Sequence, residues 1–112
     1  MDLTEQKCVA CEKNSGVVPF NKVEAEVLLK QVDGWNLKNS ESNWITKAYT
    51  FKNFVEALAF VNKVGELAEG EGHHPDIHIT DYKHVMIDLS THAIGGLSQN
   101  DFILAAKINE LK

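Results

Sequence analysis

The sequence lacks any apolar run approaching the roughly 18 residues that would suggest a membrane span. Its opening residues, MDLTEQKCVACEK, have no apolar core and do not read as a secretion signal. The expectation is a cytoplasmic protein. No segment is strongly basic, and Lys and Arg number 11 against 16 Asp and Glu, for a net charge of −5. A nucleic-acid binder needs positive charge to displace counterions from phosphates, so direct binding to DNA or RNA is not expected. Cysteine is scarce: Cys8 and Cys11 are the 2 present, spaced C-x-x-C. A structural zinc site normally takes four ligands, and there is no second pair. A thioredoxin-like redox motif would sit near a βαβ unit, whereas this pair sits in a polar tail. Two thiols without a catalytic role are the simpler reading. Sharing a metal with a histidine or another chain is the alternative.

What is present describes one ordinary globular domain. The chain has 112 residues, 44% hydrophobic and 24% charged. A core of this size leaves a modest stability margin, so self-association is expected to add to it. Residues 1–19 show no apolar periodicity and read as an N-terminal extension, with poor packing expected before about Val17. Residues 20–112 read as the domain.

Three helix starts are written in caps. Asn21-x-x-Glu24, Asn53-x-x-Glu56 and Ser98-x-x-Asp101 each place a capping side chain three residues ahead of a carboxylate. The first helix carries Val23, Val27, Leu28 and Val32 and is expected to stop at Gly34. The second carries Phe54, Leu58, Val61, Val64 and Leu67 and should end among Gly70 and Gly72. The third carries Phe102, Ala105, Ile108 and Leu111. All three stripes are expected to face the core. Strands fill the gaps at Trp35 to Leu37, Trp44 to Phe51, Ile77 to Thr80 and His84 to Thr91. The last alternates: Val85, Ile87, Leu89 and Thr91 point one way, and His84, Met86, Asp88, Ser90 and His92 the other. The order is α-β-β-α-β-β-α. Short links favour antiparallel hairpins, so the expected fold is α+β, a four-stranded antiparallel sheet with three helices packed on one face.

The chemistry is concentrated late in the chain. All 5 histidines, His73, His74, His78, His84 and His92, fall between Glu69 and Asp101. Imidazole titrates near neutral pH, so such a cluster points to proton transfer or metal binding. His73 and His74 follow a glycine-containing helix end and precede Pro75, which places them in a constrained loop. His92 lies where the fourth strand ends. Loops held by rigid elements are common catalytic positions. Gly95 and Gly96 would let the chain pass close to a ligand. His78 and His84, on strands, read as surface or structural residues. Asp101 fits a capping box and reads as structural. Glu69 reads as a solvated helix-end residue that could hold one imidazole, and Tyr82 as packing near a hairpin turn. For metal, Asp76 joins the histidines as a possible ligand, but H-E-x-x-H is absent and adjacent histidines cannot easily both bind one ion. No metal and no cofactor are expected.

The spacing narrows this further. Glu69, His73-His74-Pro75, Tyr82, His92 and Asp101, with Gly34-Trp35, Ser90-Thr91-His92 and Gly95-Gly96-Leu97, resemble the signature of the pterin-4a-carbinolamine dehydratases in order and spacing. The resemblance implies removal of water from a 4a-hydroxytetrahydropterin to give the quinonoid dihydropterin, in recycling of tetrahydrobiopterin after aromatic amino acid hydroxylation. It implies His73 and His92 as an acid–base pair and His74 as a binding and orienting residue. Pro75, Thr91, Ala93 and Ile94 would form pocket wall. It further implies a homodimer or homotetramer, with an aromatic amino acid hydroxylase as a possible partner. In animals, relatives of this family also act as dimerisation cofactors of a homeodomain transcription factor, so a binding module is the competing class. A metal-binding domain using the histidines with Cys8 and Cys11 is a third.

Overall fold

The computed structural model describes residues 3–6, 18–38 and 43–111. Cys8 and Cys11 lie outside the described residues. The elements are α1 (Lys22–Leu29), β1 (Asn36–Leu37), β2 (Ile45–Thr50), α2 (Phe54–Glu71), β3 (Asp76–Thr80), β4 (His84–Leu89) and α3 (Gln99–Asn109). Short 3-10 turns occur at Leu3–Glu5 and His92–Ile94. The strands form one antiparallel sheet in the order β1-β2-β4-β3. This is the α+β architecture expected from the sequence.

The caps act where the sequence puts them. The Asn21 side chain accepts from the Glu24 N–H, and Glu24 answers by accepting from the Asn21 N–H. Asn53 accepts from the Glu56 N–H, though the Glu56 carboxylate turns to the N–H of Lys52 instead. At the other end of α2, Gly72 takes φ 67, the left-handed conformation that closes a helix at least cost in glycine. The next N–H, of His73, reaches back to the Ala68 carbonyl at 3.2 Å. The helix terminus therefore fixes the backbone of the first histidine.

The alternation of β4 sorts the sheet into two faces. Val85, Ile87 and Leu89 are buried beneath the helices with Ile45, Val64, Phe102, Leu104 and Ile108. Each such side chain contributes about 1.5–3 kcal/mol relative to exposure. The other face carries Thr46, Ala48, His78, Met86 and Asp88 in register. It is mostly exposed, but Asp88 is fully buried there. Its carboxylate accepts from Lys38 Nζ at 2.6 Å, Thr46 Oγ1 at 2.6 Å and His78 Nε2 at 3.1 Å. Burial pushes the Asp88 carboxyl up. The Lys38 ammonium and the two other donors outweigh burial and hold it below the usual carboxylate range.

The α3 stripe faces the core as expected, with Phe102, Ala105 and Ile108 buried, but parts of the α1 and α2 stripes depart from expectation. In α2 the fully buried positions are Ala57, Val64 and Ala68, while Phe54 and Leu58 are 48% and 40% exposed. In α1, Ala25 is buried and Val23 and Val27 are exposed. Small residues let these helices seat closely, so the inward arc is rotated from the one the large side chains suggested. α1 also ends at Leu29 rather than running on to Gly34. Leu3, where poor packing was expected, is instead buried in the core.

Gly96 is a second departure. A Cβ on it would stand 2.8 Å from Pro19 Cβ, so the glycine admits the chain's own segment rather than a ligand. The neighbouring Phe20 N–H donates to the Leu97 carbonyl at 2.9 Å.

Two outcomes are expected. Gly96→Ala should destabilise by about 1–3 kcal/mol through overpacking against Pro19, read as a lowered denaturation midpoint at unchanged m-value. Asp88→Asn should cost about 1–3 kcal/mol at neutral pH, because hydrogen bonds to a charged group are lost. Since the folded state lowers this carboxyl's pKa, its contribution is complete above the unfolded value near ~3.9 and disappears as pH falls through the lowered one. Denaturation at stepped pH should show wild type and variant converging in acid.

Candidate active site

Three segments meet at one carboxylate. Asp101, in the first turn of α3, is fully buried. Its Oδ2 accepts from the Ser98 N–H at 3.0 Å and the Thr91 hydroxyl at 2.9 Å. Its Oδ1 lies 2.6 Å from Nε2 of His73, which follows α2. A carboxylate has only lone pairs to offer, so Nε2 carries the proton and donates. That leaves Nδ1 of a neutral His73 as the ring's acceptor. Thr91 has spent its one hydrogen on Asp101, so at 2.7 Å the Ser98 hydroxyl donates to Thr91.

Thr91 also anchors the loop that bears His92. Its N–H donates to the Gly96 carbonyl at 2.8 Å, and the Gly96 N–H returns to Thr91 at 3.4 Å. The loop is thus closed at its base, and His92, Ala93 and Ile94 form the 3-10 turn at its tip. His92 and Ala93 are exposed, and Ile94 is half-buried. The His92 ring meets the Trp44 ring edge-on, with centroids 5.4 Å apart and planes at 73°.

The remaining histidines separate by role. His74 projects outward, 65% exposed, with Nε2 2.8 Å from Glu69 Oε1. Glu69 therefore does hold an imidazole. The side chain of His73 is 11% exposed. His78 serves the Asp88 cluster, and His84 Nδ1 lies 3.1 Å from Thr50 Oγ1. Tyr82 is exposed in the β3–β4 turn, where it and Asp81 take positive φ. Among the described residues, no three histidine, cysteine or acidic side chains gather to hold a metal ion.

The residue that sequence reading undervalued is Asp101. Its place three residues after Ser98 marked a cap, and it does receive the Ser98 N–H. It also orients His73. The available signal was its burial-prone setting, between an apolar helix and a loop of hydroxyl and imidazole donors.

Comparison with known proteins agrees with this architecture. The family model described as pterin 4 alpha carbinolamine dehydratase matches residues 18–111. The mitochondrial pterin-4-alpha-carbinolamine dehydratase 2 of Arabidopsis thaliana is 44% identical, over 99% of this chain and 59% of its own length. A Halorhodospira halophila protein named for the same dehydratase is 45% identical, over 99% of this chain and 98% of its own. A solved structure of a transcriptional coactivator/pterin dehydratase from Brucella melitensis superposes with a TM-score of 0.74 at 30% identity, covering 81% of this chain and 95% of that one. A pterin dehydratase-like RuBisCO assembly factor of the alpha-carboxysome shares the fold, at a TM-score of 0.56 and 21% identity over 68% of this chain and 86% of its own. With the fold, the site's spacing and the match over residues 18–111 in agreement, this chain belongs to the pterin 4 alpha carbinolamine dehydratase family.

Proposed function

We propose that this chain dehydrates a 4a-hydroxytetrahydropterin to the quinonoid dihydropterin by histidine acid–base catalysis. The observation that carries the reading is the buried pair of Asp101 and His73, 2.6 Å apart, in a member of this family. A carbinolamine carries hydroxyl and amine on one carbon. Hydroxide leaves poorly, so an acid must protonate it. The C–O bond breaks as water departs, the ring-nitrogen lone pair forms the C=N bond, and that nitrogen gives up its proton. Each assisted transfer contributes about 10²–10⁴-fold.

His73 suits the accepting step. Nε2 donates to Asp101, which leaves Nδ1 as the ring's acceptor, and the carboxylate fixes the ring's orientation. His92 is then the group that serves the departing hydroxyl. His74, oriented by Glu69, binds and aligns the substrate. Pro75, Thr91, Ala93 and Ile94 supply wall. The reading needs neither metal nor redox cofactor, and it leaves Cys8 and Cys11 without a role. Its substrate is what an aromatic amino acid hydroxylase releases, which makes such an enzyme the supplier in tetrahydrobiopterin recycling. We place the reaction in the cytoplasm, which cell fractionation checks.

A second reading rests on α2. Phe54, Val55 and Leu58 are exposed at 48%, 75% and 40%. Apolar residues presented together on a helix favour association, with a second copy or with another protein. We propose a homodimer or homotetramer; a monomer by sedimentation at micromolar concentration would count against it.

The kinetic test uses freshly generated 4a-hydroxytetrahydropterin with chelator present, and subtracts the uncatalysed dehydration. His73→Ala and His92→Ala should each lower kcat by about 10²–10⁴-fold, a barrier rise of about 3–5 kcal/mol. Asp101→Asn should lower kcat through His73. His74→Ala should act chiefly on KM. His78→Ala and His84→Ala should stay near wild type. Folded His73 and His92 variants with wild-type turnover would sink the assignment, as would a His84→Ala as damaged as His92→Ala.

A further inference from the structure

His73 and His74 are each held by a carboxylate, at 2.6 and 2.8 Å. His92 is not. Among the described residues its ring's partner is Trp44. An exposed imidazole on a 3-10 turn keeps rotational freedom about both side-chain bonds, and a proton-transfer group must be held within reach of its target. Something has to supply that order.

We propose that Trp44 is a positioning residue for His92, and that buried Asp88 holds Trp44 in place through Lys38. The proposal rests on the dehydratase reading for the use of His92, but its geometry stands apart from it. Trp44 lies just before β2, opposite Lys38. The Lys38 N–H donates to the Trp44 carbonyl at 3.0 Å, continuing the β1–β2 ladder. Cross-strand partners share a sheet face. The Lys38 ammonium lies 5.8 Å from the Trp44 ring centroid. The same ammonium is 2.6 Å from Asp88 Oδ2, a carboxylate fixed from β2 by Thr46 and from β3 by His78. The backbone at Asn43 is fixed as well, since the Ser90 hydroxyl donates to its carbonyl at 2.6 Å. A chain of contacts therefore runs across the helix-free face, from the middle of β4 to the rim where His92 stands. Its last link is an edge-on aromatic pair, which is directional and restricts the imidazole's tilt.

The test uses the full chain with histidine ring labels. In wild type, nuclear Overhauser contacts should join the His92 ring to the Trp44 indole, and His92 ring relaxation should report an ordered side chain. Trp44→Ala should remove those contacts, loosen the His92 ring and lower kcat by roughly three- to tenfold, the scale of one aromatic contact. KM should move by less than about twofold, because the loss falls on alignment rather than on ground-state binding. Trp44→Phe should restore ring order and most of kcat. If Trp44→Ala does not fold, Trp44→Leu replaces it with the same expectations, since it keeps bulk without a ring. An equally ordered His92 ring in a folded Trp44→Ala or Trp44→Leu protein overturns the proposal, as does a Trp44→Phe as impaired as the aliphatic variant. A wild-type chain without dehydratase activity would instead overturn the functional reading, and the ring measurements would still decide the positioning.

Discussion

One buried carboxylate organises this end of the molecule. Asp101 takes hydrogen bonds from the start of its own helix, from the loop after β4 and from the loop after α2. A desolvated carboxylate is costly unless its lone pairs are filled, so the three donors are held together by the expense of separating them. The α3 N-terminus adds a favourable field for negative charge. The consequence is geometric: elements far apart in sequence cannot shift independently without stranding a charge. Proton-transfer chemistry needs that kind of fixed frame.

The sheet contributes a second frame on its other side. Asp88 repeats the device, a buried carboxylate filled by donors from β2, β3 and the segment after β1. The two carboxylates differ in what they fix. Asp101 holds an imidazole directly, whereas Asp88 holds a lysine that lies beside an aromatic ring. Strand pairing makes both possible, since the register puts Thr46 opposite Asp88 and β4 carries the chain on to Thr91 and His92.

Much of this was legible in the residues. Caps at Asn21, Asn53 and Ser98 marked helix starts because their side chains compete for backbone N–H groups in a way few others do. The two-residue period of β4 separated its faces. The spacing of the histidines with Glu69, Tyr82 and Asp101 pointed to the family. What was not legible has one physical root: local pattern does not report what comes from elsewhere in the chain. A helical period fits more than one stripe, and α2 seats its alanines inward because the packing partner selects the arc. Gly96 offered room, and the sequence could not say that Pro19 would take it. Asp101 satisfied the cap rule so fully that its bond to His73, 28 positions away, was easy to overlook.

The placement of α3 bears on how the molecule comes into being. Leu3 packs in its core, the Gln99 amide donates to Gln6 at 3.3 Å, and the Trp35 indole N–H donates to Asn109 at 3.0 Å. All of these partners leave the ribosome before α3 does. Until it emerges, the earlier elements hold an open apolar surface and His73 has no carboxylate. Pairing across such sequence separation is slow and exposed to wrong contacts. The core and the Asp101–His73 pair can therefore close only once α3 is in place.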